Sequence, residues 1–363
     1  MSTEELYHDA TELLKQLITT PSFSKEEDKT ADIIEQFFKN KNINTQRLVN
    51  NVWCLNKYFD PAKPTILLNS HHDTVKPNPQ YTKNPFVAIV DEARPDDPVG
   101  RGKLYGLGSN DAGGCLVSLI AAFVHFYDKE KLRYNIVLAA TAEEEISGKN
   151  GIEIVLPLLP SIDFAIVGEP TLTNLAVAEK GLLVLDCTAY GKAGHAAREE
   201  GENALYKAMK DIEWLRNFQF PKISATLGAV KISVTSINTE NKAHNVVPAL
   251  CTFVVDVRVT DAYTHEEILE TIQQQVSCEV KPRSMRMRSS KIAMEHPIVQ
   301  AGIKLGKSTY GSPTTSDGAL INAPVLKCGP GDSARSHTAD EFIYLDEIKA
   351  GIETYIRLLD QVL

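Results

Sequence analysis

The sequence predicts an α/β protein, a mainly parallel mixed sheet flanked by helices, carrying an inserted ferredoxin-like α+β domain. Two observations carry this. Between residues 51 and 168 short apolar runs alternate with helical patterns, as in a sheet covered on both faces. From about Val177 the order changes to β-α-β-β-α-β, a small sheet backed by two helices. With 363 residues and 43% hydrophobic content, the chain can bury two cores. The expected division is 1–176 and 292–363 for the interrupted domain and 177–291 for the insert.

The first helix is read from Leu6, Ala10, Leu13, Leu14, Leu17 and Ile18, whose spacing of three and four gives one apolar face. The next is read from Ile33, Ile34, Phe37 and Phe38, with Ser24 and Glu27 as its capping box. Then follow the strands VWCLNKY and TILLNS, a helix from Gly114 to about Tyr127, the strand NIVLAAT, a helix near Gly151 to Leu158, and the strand FAIVG. The insert reads as strand LLVLDCTAY, helix Asn203 to Phe218, strands AVKISVTSI and ALCTFVVDVRV, helix Thr264 to Val276, and a basic strand-like run VKPRSMRMRSSK. The strand APVLKCG and a helix from Leu345 to Val362 return to the α/β style.

Composition narrows the function. A net charge of -9 argues against nucleic acid, which favours a basic surface. The start MSTEELYHDATELLKQL lacks the basic and apolar regions of a signal peptide, so a cytoplasmic protein is expected. No apolar stretch is long enough to span a membrane. Six cysteines without CxxC pairing read as reduced, buried small hydrophobes.

Five candidate metal ligands lie in separate stretches: His71 in SHHDTV, Asp111 in GSNDAGG, Glu145 in ATAEEE, Glu169 in IVGEPT and His337 in SHTADE. Two histidines and three carboxylates, one free to bridge, suit two divalent cations and hence a metal-dependent hydrolase. His71, Glu145 and Glu169 follow strands, where open α/β sheets build their sites, and Asp111 stands at the start of a helix. Asp73 lies two residues from His71, on the same side of an extended segment, and can fix its tautomer. His72 is a ligand by composition, but the alternation turns it away. An acidic run such as Glu143 to Glu145 is usually a solvated face, yet here it follows an apolar strand. Glu145 is assigned to metal and Glu144 to the general base, which takes a proton from a water acidified by the cations.

Together SHHDTV, GSNDAGG, TAEEE, VGEPT, GKAGHAA, NVVP, DVR, TTSDG and GPG...SHTADE resemble the co-catalytic zinc aminoacylases and carboxypeptidases that include acetylornithine deacetylase and succinyl-diaminopimelate desuccinylase. The resemblance implies a zinc-exopeptidase-like catalytic domain holding two Zn2+, with Co2+ or Mn2+ as substitutes. One ion would be held by His71, Asp111 and Glu169, the other by Asp111, Glu145 and His337, with Asp111 bridging. It further implies Asp73 as orienter, Glu144 as base, and His195 as an oxyanion-stabilising histidine reaching into the partner's site, hence a homodimer. On local sequence alone His195 reads as a surface residue. Asn245 and Arg258 resemble groups that bind a substrate carboxylate, Arg258 having Asp256 as an equally good partner, and Thr315 and Ser316 are expected to line the same pocket. Many relatives carry a lysine where this chain has Gly113 and a glycine where it has Ser70.

The expected substrate is a small N-acyl amino acid, N-acetylornithine first, which would place the chain in arginine biosynthesis. Acetyl or succinyl forms of ornithine, citrulline, lysine or diaminopimelate, and dipeptides, remain open. A non-catalytic amino-acid-binding protein is opposed by the full ligand set, and a two-metal phosphoesterase by the lack of a glycine-rich phosphate cradle.

Overall fold

The computed structural model describes residues 1–92 and 101–363. The chain forms two compact units, one of Met1–Ala178, Lys291–Tyr310 and Ser316–Leu363, the other of Glu179–Ser290 and Gly311–Thr315. The expected boundaries thus move by two residues and by one. Gly311–Thr315, which the sequence placed with the first unit, belongs to the second, where the Thr315 hydroxyl donates to the Lys180 carbonyl at 2.8 Å.

In the first unit the sheet runs, edge inward, Gln46–Leu48, Asn51–Leu55, Asn135–Thr141, Thr65–His71, Ile162–Val167, Val325–Lys327 and Leu175–Glu179. The four strands from Asn135–Thr141 to Val325–Lys327 are mutually parallel. Their near-continuous apolar runs are explained by burial on both faces. Ile66, Leu68, Ile136, Leu138, Ala140, Phe164 and Ile166 meet the large helical core, while Leu67, Val137, Ala139, Ala165 and Val167 meet a smaller cluster with Ile152, Val155 and Ile321. The larger face is covered by helices Thr3–Ile18, Asp28–Asn40, Gly114–Phe126 and Leu345–Asp360, whose apolar stripes contribute Leu14, Ile34, Leu119 and Ile352.

Helix Thr3–Ile18 is opened by a capping box between Ser2 and Glu5. The box expected at Ser24 and Glu27 does not form: Glu27 is itself the N-cap of Asp28–Asn40 and makes no side-chain cap bond. Both side chains are engaged elsewhere, as described below. A small antiparallel sheet of Ile89–Asp91, Lys103–Tyr105 and Phe342–Tyr344 was not anticipated, because three-residue strands are too short to show alternation.

The second unit holds a four-stranded antiparallel sheet ordered Lys231–Thr239, Leu250–Val259, Gly181–Tyr190, Glu279–Pro282, with helices Ala204–Asn217 and His265–Gln275 packed on it. Leu183, Leu185, Cys187, Phe253, Val255 and Val257 point inward at alternate positions against Ala208, Leu215, Ile268 and Ile272. Asn203 and Thr264 cap the two helices. The basic run is strand over Glu279–Pro282 and again over Ser290–Lys291; between them Arg283 and Arg288 form exposed ion pairs with Asp186 and Glu266.

All six cysteines are buried and free. Among the described residues no helix is long and apolar enough to cross a membrane.

Candidate metal centre

Strand register builds most of the site. His71 ends its strand opposite Thr141, and Asn69 lies opposite Val167 on the other side. The turn carrying Glu144 and Glu145 leaves just beyond Thr141, and Glu169 lies just beyond Val167. Lys327 pairs with Val167, and from it the chain runs through Gly329 and Gly331 to His337. Asp111 arrives from Ser109–Gly113, the segment feeding helix Gly114–Phe126; its φ of -115° and ψ of 100° are not helical, and the bond to Ala112 is cis.

The five candidate ligands and Glu144 converge. The His71 Nε2 lies 3.4 Å from Asp111 Oδ1, 3.7 Å from Glu169 Oε1 and 3.8 Å from Glu144 Oε2. At the exposed rim His337 Nε2 is 3.0 Å from Glu145 Oε2 and 3.7 Å from Asp111 Oδ2. Asp111 therefore faces both histidines. Ligand atoms of His71, Asp111 and Glu145 fall within 4.8 Å of one another, as do those of His71, Glu144 and Glu169. Glu144 is thus itself near enough to compete as a ligand.

Charge crowding dominates the electrostatics. Burial, reinforced by neighbouring carboxylates, pushes Glu144 well above the usual carboxylate range and Glu169 to about 8. Burial also raises Glu145, against the pull of His337. Burial would lower the pKa of His71, but the surrounding carboxylates of Asp111, Asp73 and Glu144 hold it well above the ordinary value. Such a pocket calls for positive charge.

The residues fit divalent cations. His71 Nε2 is buried without a hydrogen-bond partner, and such an atom is costly unless something binds it. Two ligand atoms, each about 2.1 Å from one tetrahedral zinc ion, stand roughly 3.4 Å apart. The His71 to Asp111 and His71 to Glu169 spacings of 3.4 and 3.7 Å match that separation.

A ring of buried acceptors holds the ligand-bearing turns. Asp73 accepts the backbone N–H groups of Glu144 (3.1 Å) and Glu145 (3.2 Å) and the Ser24 hydroxyl (2.7 Å). It stands 3.4 Å from His71 Nδ1, whose closer partner is Asp73's own carbonyl at 3.0 Å. Glu27, fully buried, accepts from Lys25 N, Asn50 Nδ2 and Glu143 N. Glu143 has a left-handed φ of 56°, and its carboxylate is held by Asn150 N and Nδ2. His72 turns away from the cluster, bonding Thr30 and the Asn50 carbonyl.

Two neighbouring acids were not singled out in the sequence. Asp317 of TTSDG is buried and accepts the Thr141 hydroxyl at 2.6 Å, burial raising it to about 6. Glu341, the last residue of SHTADE, is 2% exposed and accepts three backbone N–H groups around Asp111. Glu341 directly precedes the apolar strand Phe342–Tyr344, which was the available signal there; Asp317 opens a short turn and adjoins no strand.

In the second unit, His195 is exposed and pairs with Val246 in a short ribbon that also joins Ala196 N to the Asn245 carbonyl at 2.9 Å. Arg258 grips Asp256 of the same strand at 2.9 and 3.1 Å and reaches Thr315 at 3.3 Å. Ser316, expected at a pocket wall, is fully buried in the first unit, where its hydroxyl accepts from Gly318 N.

The fold and this cluster define a metal-dependent hydrolase. The chain belongs to Peptidase family M20/M25/M40, whose model matches residues 67–361. It is similar to a succinyl-diaminopimelate desuccinylase of Wolbachia pipientis wMel, 25% identical with 98% of this chain and 95% of that protein covered. Another so named, from Orientia tsutsugamushi (strain Boryong), is 25% identical over 96% of this chain and 95% of its own length. In structure it resembles an M20 metallo-carboxypeptidase from Sulfolobus solfataricus, with TM-score 0.77, 17% identity, and 97% and 99% of the two chains covered. A dinuclear metal-binding M20 peptidase from Bacillus subtilis gives TM-score 0.73 at 15% identity, covering 98% of each chain. The protein is accordingly a metal-dependent amidohydrolase.

Proposed function

We propose that the chain hydrolyses the amide bond of a small N-acyl amino acid. The observation that supports this most is the unpartnered His71 Nε2, buried among Asp111, Glu144 and Glu169. His71, Asp111 and Glu169 would hold one cation and Asp111, Glu145 and His337 the other, with zinc as first choice and cobalt or manganese as substitutes. Bound there, the ions would polarise the amide carbonyl and acidify a water.

The chain's own residues do the rest. Glu144 takes the proton from the attacking water and returns it to the leaving nitrogen. Asp73 fixes the imidazole and the Glu144–Glu145 backbone together. His195 stabilises the oxyanion from a partner subunit, and Asn245 and Arg258 take the substrate carboxylate, with Thr315 lining the same pocket. A homodimer is supported by exposed Tyr206 and Met209 on helix Ala204–Asn217 and by the outer position of strand Lys231–Thr239.

The test is a panel of N-acetyl and N-succinyl amino acids, led by N-acetylornithine and N-succinyl-diaminopimelate, with dipeptides alongside, run with metal analysis. The relatives named as desuccinylases support the succinyl arm. Turnover of an N-acyl amino acid that stops on chelation and returns with zinc is expected. Two bound ions with cleavage of dipeptides alone would overturn the proposed substrate class; absence of bound metal would overturn the mechanism.

A further inference from the structure

Glu341 is a buried carboxylate that, among the described residues, is held by main-chain N–H groups rather than by a cationic side chain. Its Oε1 accepts the backbone N–H groups of Asn110 and Asp111, both at 2.9 Å, and its Oε2 accepts that of Gly108 at 3.0 Å. Its own carbonyl accepts Gly106 N at 3.0 Å, and the following strand Phe342–Tyr344 pairs with Lys103–Tyr105, which leads into that loop. One residue thus grips four main-chain N–H groups across the segment that delivers Asp111. Gly108 has a φ of 74°, a conformation glycine adopts without strain, so the loop is bent around the carboxylate. Asp111 faces both His71 and His337, so a shift of its backbone would disturb every contact it makes.

We propose that Glu341 is a positioning residue for the shared metal ligand: its carboxylate fixes the Gly108–Asp111 backbone so that Asp111 can serve two cations at once. This rests on the metal-hydrolase reading above. A carboxyl group whose two oxygens take three N–H donors fixes the position of each of those backbone groups, and removing it would leave them buried without acceptors. Outer groups that orient ligands typically contribute 10–100-fold to metal affinity.

The experiment is titration of zinc or cobalt into the metal-stripped full chain, comparing wild type, Glu341→Gln, Glu341→Ala and Leu138→Ala. Leu138 is fully buried in the core away from these contacts and serves as a control for stability loss. Glu341→Ala is expected to weaken binding of at least one ion by roughly 10–100-fold, with turnover recovering at excess metal. Glu341→Gln keeps an oxygen for Asn110 and Asp111 but turns an NH2 toward Gly108, and should fall between; it also serves where the alanine variant fails to fold. Leu138→Ala should lower the melting temperature and leave metal affinity unchanged. Wild-type affinity for both ions in either Glu341 variant, or a loss no larger than that of Leu138→Ala, overturns the proposal. A wild-type chain that binds fewer than two ions instead overturns the reading beneath it.

Discussion

Asp73 accepts the backbone N–H of Glu144 at 3.1 Å while its carboxylate stands 3.4 Å from the ring of His71. One buried side chain therefore sets both a candidate ligand and the candidate base. Asp73→Ala should damage both, lowering metal affinity by roughly 10–100-fold and leaving turnover depressed even at saturating metal. Metal titration followed by kinetics at excess zinc separates the two effects; full recovery at excess zinc would remove the second role.

Glu144→Ala is expected to keep its metal and lose turnover by roughly 10²–10⁴-fold. The five assigned ligands remain in place, so the metal should stay bound, its affinity reduced only by the loss of one nearby negative charge. Metal content measured beside kcat decides the matter. Near-normal kcat would transfer the base role to another group, and loss of metal would make Glu144 a ligand.

Ser24 offers a sharper test of how the second helix begins. Its hydroxyl donates to Asp73 at 2.7 Å and takes no part in capping Asp28–Asn40. Ser24→Ala should therefore leave helix content unchanged yet weaken metal binding or turnover several-fold, and Ser24→Thr should restore function. A helix-cap role would give the reverse pattern, a loss of about 1 kcal/mol in stability with normal kinetics.

What was legible in the sequence was the part written in local pattern. The short apolar runs TILLNS, NIVLAAT and FAIVG, alternating with helical patterns, located the parallel strands, and His71, Glu145 and Glu169 were visible because they follow such runs. Glu341 was hidden because its partners lie some 230 residues away and are main-chain groups, which carry no side-chain signature. The Ser24 to Glu27 spacing suggested a local cap, but both side chains form long-range bonds that local spacing does not encode. The basic run beyond Pro282 looked strand-like by composition, but it returns to strand only at Ser290–Lys291, and Arg283 and Arg288 on the way make exposed ion pairs with Asp186 and Glu266.

His72 carries a pH prediction. The Asn50 carbonyl can only accept, so Nε2 keeps the hydrogen, while Nδ1 lies 2.9 Å from the Thr30 hydroxyl, which also donates to the Glu27 carbonyl at 3.0 Å. Burial lowers its pKa from 6.5 to about 4. The unfolded chain then binds a proton that the folded chain refuses, so this contribution to stability is present above pH 6.5, falls as pH drops below it and is gone below about 4. The drop amounts to about 3 kcal/mol across that window. Denaturation of wild type and His72→Gln between pH 4 and 8 should show a shallower acid slope in the variant. Equal slopes would place the titration elsewhere.

His195→Ala should reduce turnover by roughly 10²-fold or more if the imidazole stabilises an oxyanion. Supply from a partner subunit makes a further prediction that loss of activity alone cannot. Neither Glu144→Ala nor His195→Ala is active by itself, but a mixed dimer holds one site with both groups intact. Unfolding and refolding equal amounts together should recover about a quarter of wild-type activity, because half the dimers are mixed and each has one working site of two. Size-exclusion chromatography run in parallel shows whether dimers form. No recovery from a mixture that does dimerise would place His195 in its own subunit's site or outside the reaction, and a fully active monomer would exclude help from a partner.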